Sequence, residues 1–310
     1  SVYPIYVVYP TYDNNAANAS LIANNAIYNL GNYGGTFYGI YLSSGYHTNV
    51  YHNTISQNFT SSGTSTQYGV YLSNSSGTFN IKNNIVDFKG GNTATKYGIY
   101  ISSTSALAAN GLQMNTVNMA SNQPGTQYRT YYGTAYVDLP ALRTAYPLLE
   151  ANTVDVDPIF PNITRGEIEP INAAIYRTGE NLTATVPTDI TNAVRPTTPT
   201  IGAKEMAPPP NIDLALVKLT NPFVYCGGPE DVKIEVNNQG TQAITSFTIN
   251  WSVNNVAQTP YTWTGTLPTT SSLEVTIGNF NFAPFVNHDI QFTVSRVNNT
   301  NDQRSFNDTL

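Results

Sequence analysis

The chain has 310 residues, of which only 10% are charged, and its 13 Lys and Arg against 19 Asp and Glu leave a net charge of -6. That balance excludes a nucleic-acid binder, which needs a basic face, and 12% aromatic residues exclude a disordered chain. The charge deficit is filled by 38 Asn, 40 Thr, 22 Gly and 22 Tyr, residues that disfavour helix or suit strands, so an all-helical fold is excluded as well.

The length accommodates one large β domain or two domains with a real core. The single cysteine, Cys226, allows no intrachain disulfide and reads as a small buried or loop residue. No apolar run reaches the ~18 residues that span a bilayer. The opening SVYPIYVVYP is strand-like, with no basic region or cleavage site of a signal peptide, so the chain reads as a mature fragment.

The first half is repetitive. Tyr38-Gly39-Ile40-Tyr41-Leu42, Tyr68-Gly69-Val70-Tyr71-Leu72 and Tyr97-Gly98-Ile99-Tyr100-Ile101 start 30 and 29 residues apart, and Tyr3-Pro4-Ile5-Tyr6-Val7 precedes them by 35. A second motif follows each: Ile22-Ala-Asn-Asn25-Ala-Ile27, Val50-Tyr-His-Asn53-Thr-Ile55, Ile81-Lys-Asn-Asn84-Ile-Val86 and Leu112-Gln-Met-Asn115-Thr-Val117. Residues five apart point to opposite faces of a flat strand, so both turn inward only if the chain bends between them. Asn tolerates the left-handed conformation such a bend needs. Each unit therefore predicts strand, turn, strand, Asn bend, strand. Stacking such units gives a right-handed parallel β-helix of the pectin-lyase-like kind. Strands would lie ~4.8 Å apart, with Asn25, Asn53, Asn84 and Asn115 as an amide ladder. Tyr6, Tyr41, Tyr71 and Tyr100 would line an outer face beside the motif glycines. The Asn bend is expected at the ladder residue itself.

The repeat fades after residue 120. Residues 138–149 predict a short helix capped by Asp138, with Pro140 in its first turn. A strand-like Val154–Phe160 follows. The order Tyr136-x-x-Leu139, Asn152-Thr-Val-Asp-Val-Asp-Pro-Ile-Phe160, Pro170-Ile-Asn-Ala-Ala174, Asp189-Ile190 with Arg195, and Ile201-Gly-Ala-Lys-Glu205 resembles the C-terminal end of secreted right-handed β-helix proteins of Bacteroidetes. Ala174 and Asn192 stand where that family carries glycine. The resemblance covers roughly residues 20–206 and implies the fold, not an activity.

Met206-Ala-Pro-Pro-Pro210 is a stiff linker, which gives a β-helix over 1–206, a Pro-rich linker over 207–211 and a second domain over 212–310. Alternating strands at 213–219, 232–236, 246–253, 273–277 and 289–294 predict an immunoglobulin-like β-sandwich with Trp251 in its core. Val236-Asn-Asn-Gln-Gly-Thr-Gln242, Phe247-Thr-Ile-Asn-Trp-Ser-Val253 and Phe306-Asn-Asp308 resemble the CARDB, or cell-adhesion-related, bacterial module.

Residues 1–120 hold only five charged residues, Asp13, Lys82, Asp87, Lys89 and Lys96, with His47 and His52 lacking a carboxylate partner in the sequence. Lyases and hydrolases on this kind of fold need carboxylate clusters to move protons or hold a hard cation. No catalytic residue is assigned. The acidic group Asp155, Asp157, Glu167 and Glu169, near Arg165, is the one Ca²⁺ candidate; otherwise no cofactor is expected, and Asp157-Pro158 also reads as a turn. Sequons at Asn18, Asn58, Asn74, Asn162, Asn181, Asn250, Asn298 and Asn307 follow from Asn and Thr abundance, and Asp308-Thr309-Leu310 matches a short O-glycosylation pattern.

Two functions stand side by side. The first is a non-catalytic structural and adhesive segment of a secreted or cell-surface bacterial protein, binding an extracellular glycan or a surface protein. On the resemblance, it would be exported by the type IX system, used in adhesion or gliding, and joined to further domains. The second is a fragment of a carbohydrate-active lyase or hydrolase, or its binding module, with catalytic coils upstream. A phage tail spike is a weaker third reading, opposed by the Ig-like tail.

Overall fold

The computed structural model describes residues 1–10, 13, 15–30, 34–57, 64–73, 76–90, 93–102, 107–115, 118–120, 125–222 and 227–310. For 107–111, 113, 115 and 118–120 it describes the backbone course only. The fold is predominantly β and forms two compact units, Ser1–Ala207 and Pro208–Leu310. Cys226 and the sequons at Asn58 and Asn74 lie outside the described residues.

In the first unit each repeat supplies three strands. Repeat 1 gives β1 (Ile5–Val8), β2 (Ser20–Ala23) and β3 (Ala26–Ile27), and repeat 2 gives β4 (Phe37–Ser43), β5 (Thr48–Tyr51) and β6 (Thr54–Gln57). Repeat 3 gives β7 (Gln67–Ser73), β8 (Gly77–Lys82) and β9 (Ile85–Phe88), and repeat 4 gives β10 (Lys96–Ile101), β11 (Leu107–Asn115) and β12 (Asn118–Ala120). A further strand, β13 (Gln127–Tyr132), follows and folds back as the antiparallel β14 (Thr134–Tyr136). The strands pair with their counterparts one repeat away, in three sheets ordered β1-β4-β7-β10-β13-β14, β11-β8-β5-β2 and β12-β9-β6-β3. All of these pairings except β13–β14 are parallel. Ile40, Leu42, Val50, Ile55, Val70, Leu72, Ile81, Val86, Ile99 and Ile101 form the core between the sheets.

The bend works differently from the sequence expectation. The left-handed residues are Asn24 (φ 54), His52 (φ 52) and Asn83 (φ 57), one position ahead of the ladder. Asn25, Asn53 and Asn84 instead bond along the stack. Asn25 donates from its backbone N (3.1 Å) and Nδ2 (2.9 Å) to Asn53 Oδ1. Asn53 donates from both nitrogens to Asn84 Oδ1, each at 2.9 Å. Asn115, expected as the fourth member, is not in register with the series: its backbone pairs with Lys82, two residues ahead of Asn84, because β11 pairs Met114 rather than Leu112 with Ile81. Turning and laddering are thus divided between two adjacent residues.

The chain after β14 covers the third sheet. The helix α1 (Leu139–Ala145) starts on the Asp138 cap, whose carboxylate accepts from Ala141 N at 2.8 Å. It ends four residues earlier than expected because Pro147 forces Tyr146 out of the helical region (φ -137). Residues 153–160 pair with no strand. Val156 and Phe160 pack on Ile85, Ile175 and Ile201, while Asp157 turns the chain at Ile159, accepting its N–H at 2.9 Å. Asn192 takes φ 66, whereas Ala174 lies in a 3-10 turn and the left-handed residue there is Arg177 (φ 56).

The bend residues hold this covering segment. Asn83 Oδ1 accepts from Glu180 N (2.9 Å) and its Nδ2 donates to Glu180 O (2.8 Å). Asn24 Nδ2 donates to Thr188 O at 2.7 Å. Arg195, with no side-chain exposure, ion-pairs with Glu205 and donates to Asn24 Oδ1 (2.9 Å), Gly202 O (3.1 Å) and Ala203 O (3.1 Å).

The second unit has two antiparallel sheets. β15 (Leu214–Asn221), β16 (Gly228–Asn238) and β20 (Ser272–Phe282) form one. β17 (Ile244–Val253) pairs with β18 (Val256–Ala257), β19 (Tyr261–Leu267) and β21 (Ile290–Val297) in the other. Val232, Ile234 and Val275 from one sheet and Phe247, Ile249, Trp251 and Phe292 from the other share one core. Trp251 is buried, and its Nε1 donates to Thr259 O at 3.0 Å. Buried Asp213 bonds Arg304 Nη1 (2.7 Å) and Asn307 Nδ2 (2.8 Å) from the C-terminal segment.

Candidate functional site: a tyrosine face

Parallel register places tyrosines over tyrosines. Tyr6, Tyr41, Tyr71, Tyr100 and Tyr131 are partners in successive strands, and Tyr38, Tyr68, Tyr97 and Tyr128 form a second series. Tyr3 stacks on Tyr38 at 4.8 Å and 9°, so this second column starts at the first repeat. Its later steps are 4.9, 5.6 and 5.0 Å between centroids. In the first column Tyr41–Tyr71 and Tyr71–Tyr100 stack at 5.0 Å and 5°, and Tyr100–Tyr131 at 4.4 Å. The columns meet edge to face, as Tyr38–Tyr41 (5.1 Å, 84°), Tyr68–Tyr71 (4.9 Å, 82°) and Tyr97–Tyr100 (5.0 Å, 82°) do. Both geometries are favoured by the ring quadrupole.

Strict alternation would put residues three apart on opposite faces. Tyr38 and Tyr41 share a face because Gly39 and Ile40 are both buried between them. The glycine is therefore not beside the tyrosines on the outer face. A Cβ at Gly39 would lie 2.6 Å from Gly69 O and 2.7 Å from Ile55 Cγ2, and one at Gly69 would lie 2.5 Å from both Gly98 O and Val86 Cγ1.

The interior rings are half-buried, and stacking covers both their faces, so they offer solvent their edges and hydroxyls. Tyr6 is 57% exposed and tilted 58° from Tyr41, and Tyr3 is 42% exposed. Burial, and then the neighbouring phenols, raise the pKa of Tyr38, Tyr71, Tyr97 and Tyr100 above the ordinary tyrosine value, and that of Tyr68 further still. These five phenols are therefore uncharged at physiological pH.

The four acidic candidates do not converge. Asp155 pairs with Arg129, Asp157 with Lys89 (2.5 Å) and Glu169 with Lys204 (3.1 Å), while Glu167 lies in a bridge with Asn162. Among the described residues no group of three or more His, Cys, Asp and Glu side chains could hold a metal ion. The Ca²⁺ arrangement is therefore not assembled: each of three carboxylates is paired with a cation drawn from a distant part of the sequence.

That same pairing reveals contacts invisible in the sequence. Lys89 Nζ lies 3.7 Å from Asp87 as well as against Asp157, and Ser56 Oγ donates to Asp87 Oδ2 at 3.4 Å. His52 is fully buried, with Nε2 accepting from Asn83 Nδ2 (2.9 Å) and Nδ1 against Gly202 O (3.3 Å). His47 Nδ1 accepts from Thr78 N at 3.1 Å. Both histidines hold backbone or bend residues rather than a reacting group.

Burial and the Arg195 guanidinium push the His52 pKa down to about 3. Unfolded His titrates near ~6.5, so its contribution to stability is complete above that value and lost as pH falls toward 3. Burial pushes Asp87 up to about 7 against the pull of Lys89. Unfolded Asp titrates near ~3.9, so its contribution is complete below that value and lost as pH rises to 7. The two oppose each other in mild acid. Removing one exposes the other: relative to the parent, Asp87→Asn is expected to lose about 2–3 kcal/mol between pH 6.5 and 4.5. Urea unfolding at the two pH values measures this, and a pH-independent difference between variant and parent would refute the Asp87 assignment.

No protein-family model matches this chain, and no curated protein matches it. A solution structure of a domain from Methanosarcina acetivorans, described as from a candidate cell surface protein, is 25% identical over 32% of this chain and 86% of that one, with a TM-score of 0.29. A TM-score of that size carries no inference about fold or function.

Proposed function

We propose that the chain is a non-catalytic structural and adhesive segment of a secreted or cell-surface bacterial protein. Residues 1–206 would be a right-handed parallel β-helix, and 212–310 an Ig-like module of the CARDB kind. The observation that carries this reading is the tyrosine face, two columns of rings continuous over five parallel strands. Aromatic side chains combine apolar area with a polar tip at low entropic cost, which is what recognition surfaces use. Since interior ring faces are covered, the strip suits an extended partner lying across ring edges and hydroxyls, a surface protein or a glycan chain, better than one sugar stacked on one ring.

The charged groups support a structural use. Arg129 and Arg195 have side chains at most 2% exposed, and their carboxylate partners are Asp155, Glu150 and Glu205 of the covering segment. Asp87 has no side-chain exposure, so a polysaccharide cannot reach it.

Binding to arrays of glycans and surface proteins tests the reading. The triple variant Tyr41→Ala, Tyr71→Ala, Tyr100→Ala, checked for folding by circular dichroism, is expected to lose about tenfold or more in affinity, ~1.4 kcal/mol. Unchanged binding by the folded variant discards the tyrosine face. Turnover of an acidic polysaccharide, with or without Ca²⁺, that is abolished by Asp157→Asn would establish the enzyme reading instead.

A further inference from the structure

On the side of the first repeat the three sheets of the first unit end on β1, β2 and β3, and no described strand pairs with their outer edges. The core there is thinner than one repeat further on. Ile5, Val7 and Ile22 are only partly buried, whereas Ile40, Leu42 and Val50 are fully buried. A hollow of about 280 Å³ opens among Pro4, Ile5, Asn25, Ala26, Ile27 and Leu30. Tyr3 and Tyr6 carry the exposed rings of the two tyrosine columns at this end, and Val8 and Leu21 are exposed beside them. Open parallel edges flanked by apolar side chains are a template for pairing.

The polarity of the amide ladder decides what pairs there. Every described ladder step runs the same way, with the backbone N–H and Nδ2 of one Asn donating to the Oδ1 of the Asn one repeat later. Asn25 is the first member, and its Oδ1 accepts from none of the described residues. A second copy meeting this end across a two-fold axis would set that acceptor against its own image. At the far end the antiparallel β14 already pairs with β13, Leu142 and Leu149 fill the core, and Glu150 N donates to Met114 O at 2.8 Å, so a copy stacked head to tail would meet no matching edge on the first sheet.

We propose that the first repeat is a docking edge for one more repeat of the same pattern, running in the same direction and supplied by a protein segment. Its Tyr-x-x-Tyr strand would pair with β1 and stack on Tyr3 and Tyr6, and its Asn would donate into Asn25 Oδ1. The coil-to-coil interface needed is the one already formed four times along the first sheet, from β1 to β13. The inference stands on this pairing and is independent of what the tyrosine face binds.

The register specifies the test. Val2 bridges Phe37, and Phe37 in turn pairs with Gln67, so residues 36–65 placed directly before Ser1 form an added repeat in phase. The full chain with this extension is expected to melt about 5 °C or more above the parent in its first-unit transition. Nitration of Tyr3 and Tyr6 by tetranitromethane is expected to slow several-fold. The same extension carrying Tyr38→Ala, Tyr41→Ala and Asn53→Ala in the added copy only is expected to lose most of both effects. An extended chain no more stable than the parent, or a control extension that performs as well, overturns the proposal. Sedimentation of the unextended protein is expected to give a monomer; a dimer that protects Tyr3 and Tyr6 would assign the edge to a second copy and overturn it equally.

Discussion

Gly69→Ala is expected to destabilise the first unit by about 3 kcal/mol, which lowers its melting transition by about 6–12 °C. The methyl group would lie 2.5 Å from Gly98 O and 2.5 Å from Val86 Cγ1. One is backbone of the next strand and the other a core side chain with no exposure, so neither can yield without moving a sheet. Gly34→Ala is the control, since none of the described residues lies within 4 Å of a Cβ there, and it is expected to change stability by less than about 0.5 kcal/mol. Calorimetry resolves the two. Equal melting temperatures would mean that the close approach of successive repeats is not what requires glycine. The effect reaches the candidate site as well, because the same glycines let Tyr38 and Tyr41, or Tyr68 and Tyr71, share the outer face.

Arg195→Ala is expected to cost about 3–5 kcal/mol, the range for breaking a buried ion pair from one side. The loss would leave Glu205 without its cation, and Gly202 O, Ala203 O and Asn24 Oδ1 without their guanidinium donor. Arg195→Lys would recover little, because an ammonium cannot reproduce a planar fork that serves several acceptors at once. The local consequence is specific. The segment from about Glu180 to Glu205 is held along the bends by Asn24, His52 and Asn83, so it should become the first site of limited proteolysis while the three parallel sheets persist. An Arg195→Ala protein that resists proteolysis like the parent would show that this segment is held by its apolar contacts, such as Ile201 on Ile85, rather than by the arginine.

Not every strand of the two units was legible in the sequence. Gln127–Tyr132 extends the first sheet although the repeat fades there in sequence. Its Tyr128-x-x-Tyr131 keeps the spacing of the earlier motifs, but Arg129 and Thr130 replace the Gly and Ile that made those motifs conspicuous. The same emphasis on glycine hid the second tyrosine column, Tyr3, Tyr38, Tyr68, Tyr97 and Tyr128, although each of its members is the first letter of a motif. Val154–Phe160 has the alternation of a strand and forms none. Its apolar side is covered by the Ile85 cluster and its acidic side by Arg129 and Lys89, and Pro158 lacks the N–H a ladder needs.

By itself the sequence determined the spacing of repeats, the inward Ile40, Val70 and Ile99, the outward Tyr41, Tyr71 and Tyr100, and the series Asn25, Asn53 and Asn84, because these depend on backbone geometry that recurs every thirty or so residues. The tertiary structure decided what no period encodes. It set which of two adjacent residues turns the chain, Asn24, His52 and Asn83 rather than the ladder Asn. It also set which charges meet, Asp157 with Lys89 and Asp155 with Arg129, across separations of 68 and 26 residues. Local conformation follows from local chemistry, whereas an ion pair between distant residues exists only once the sheets have stacked and brought the two side chains together.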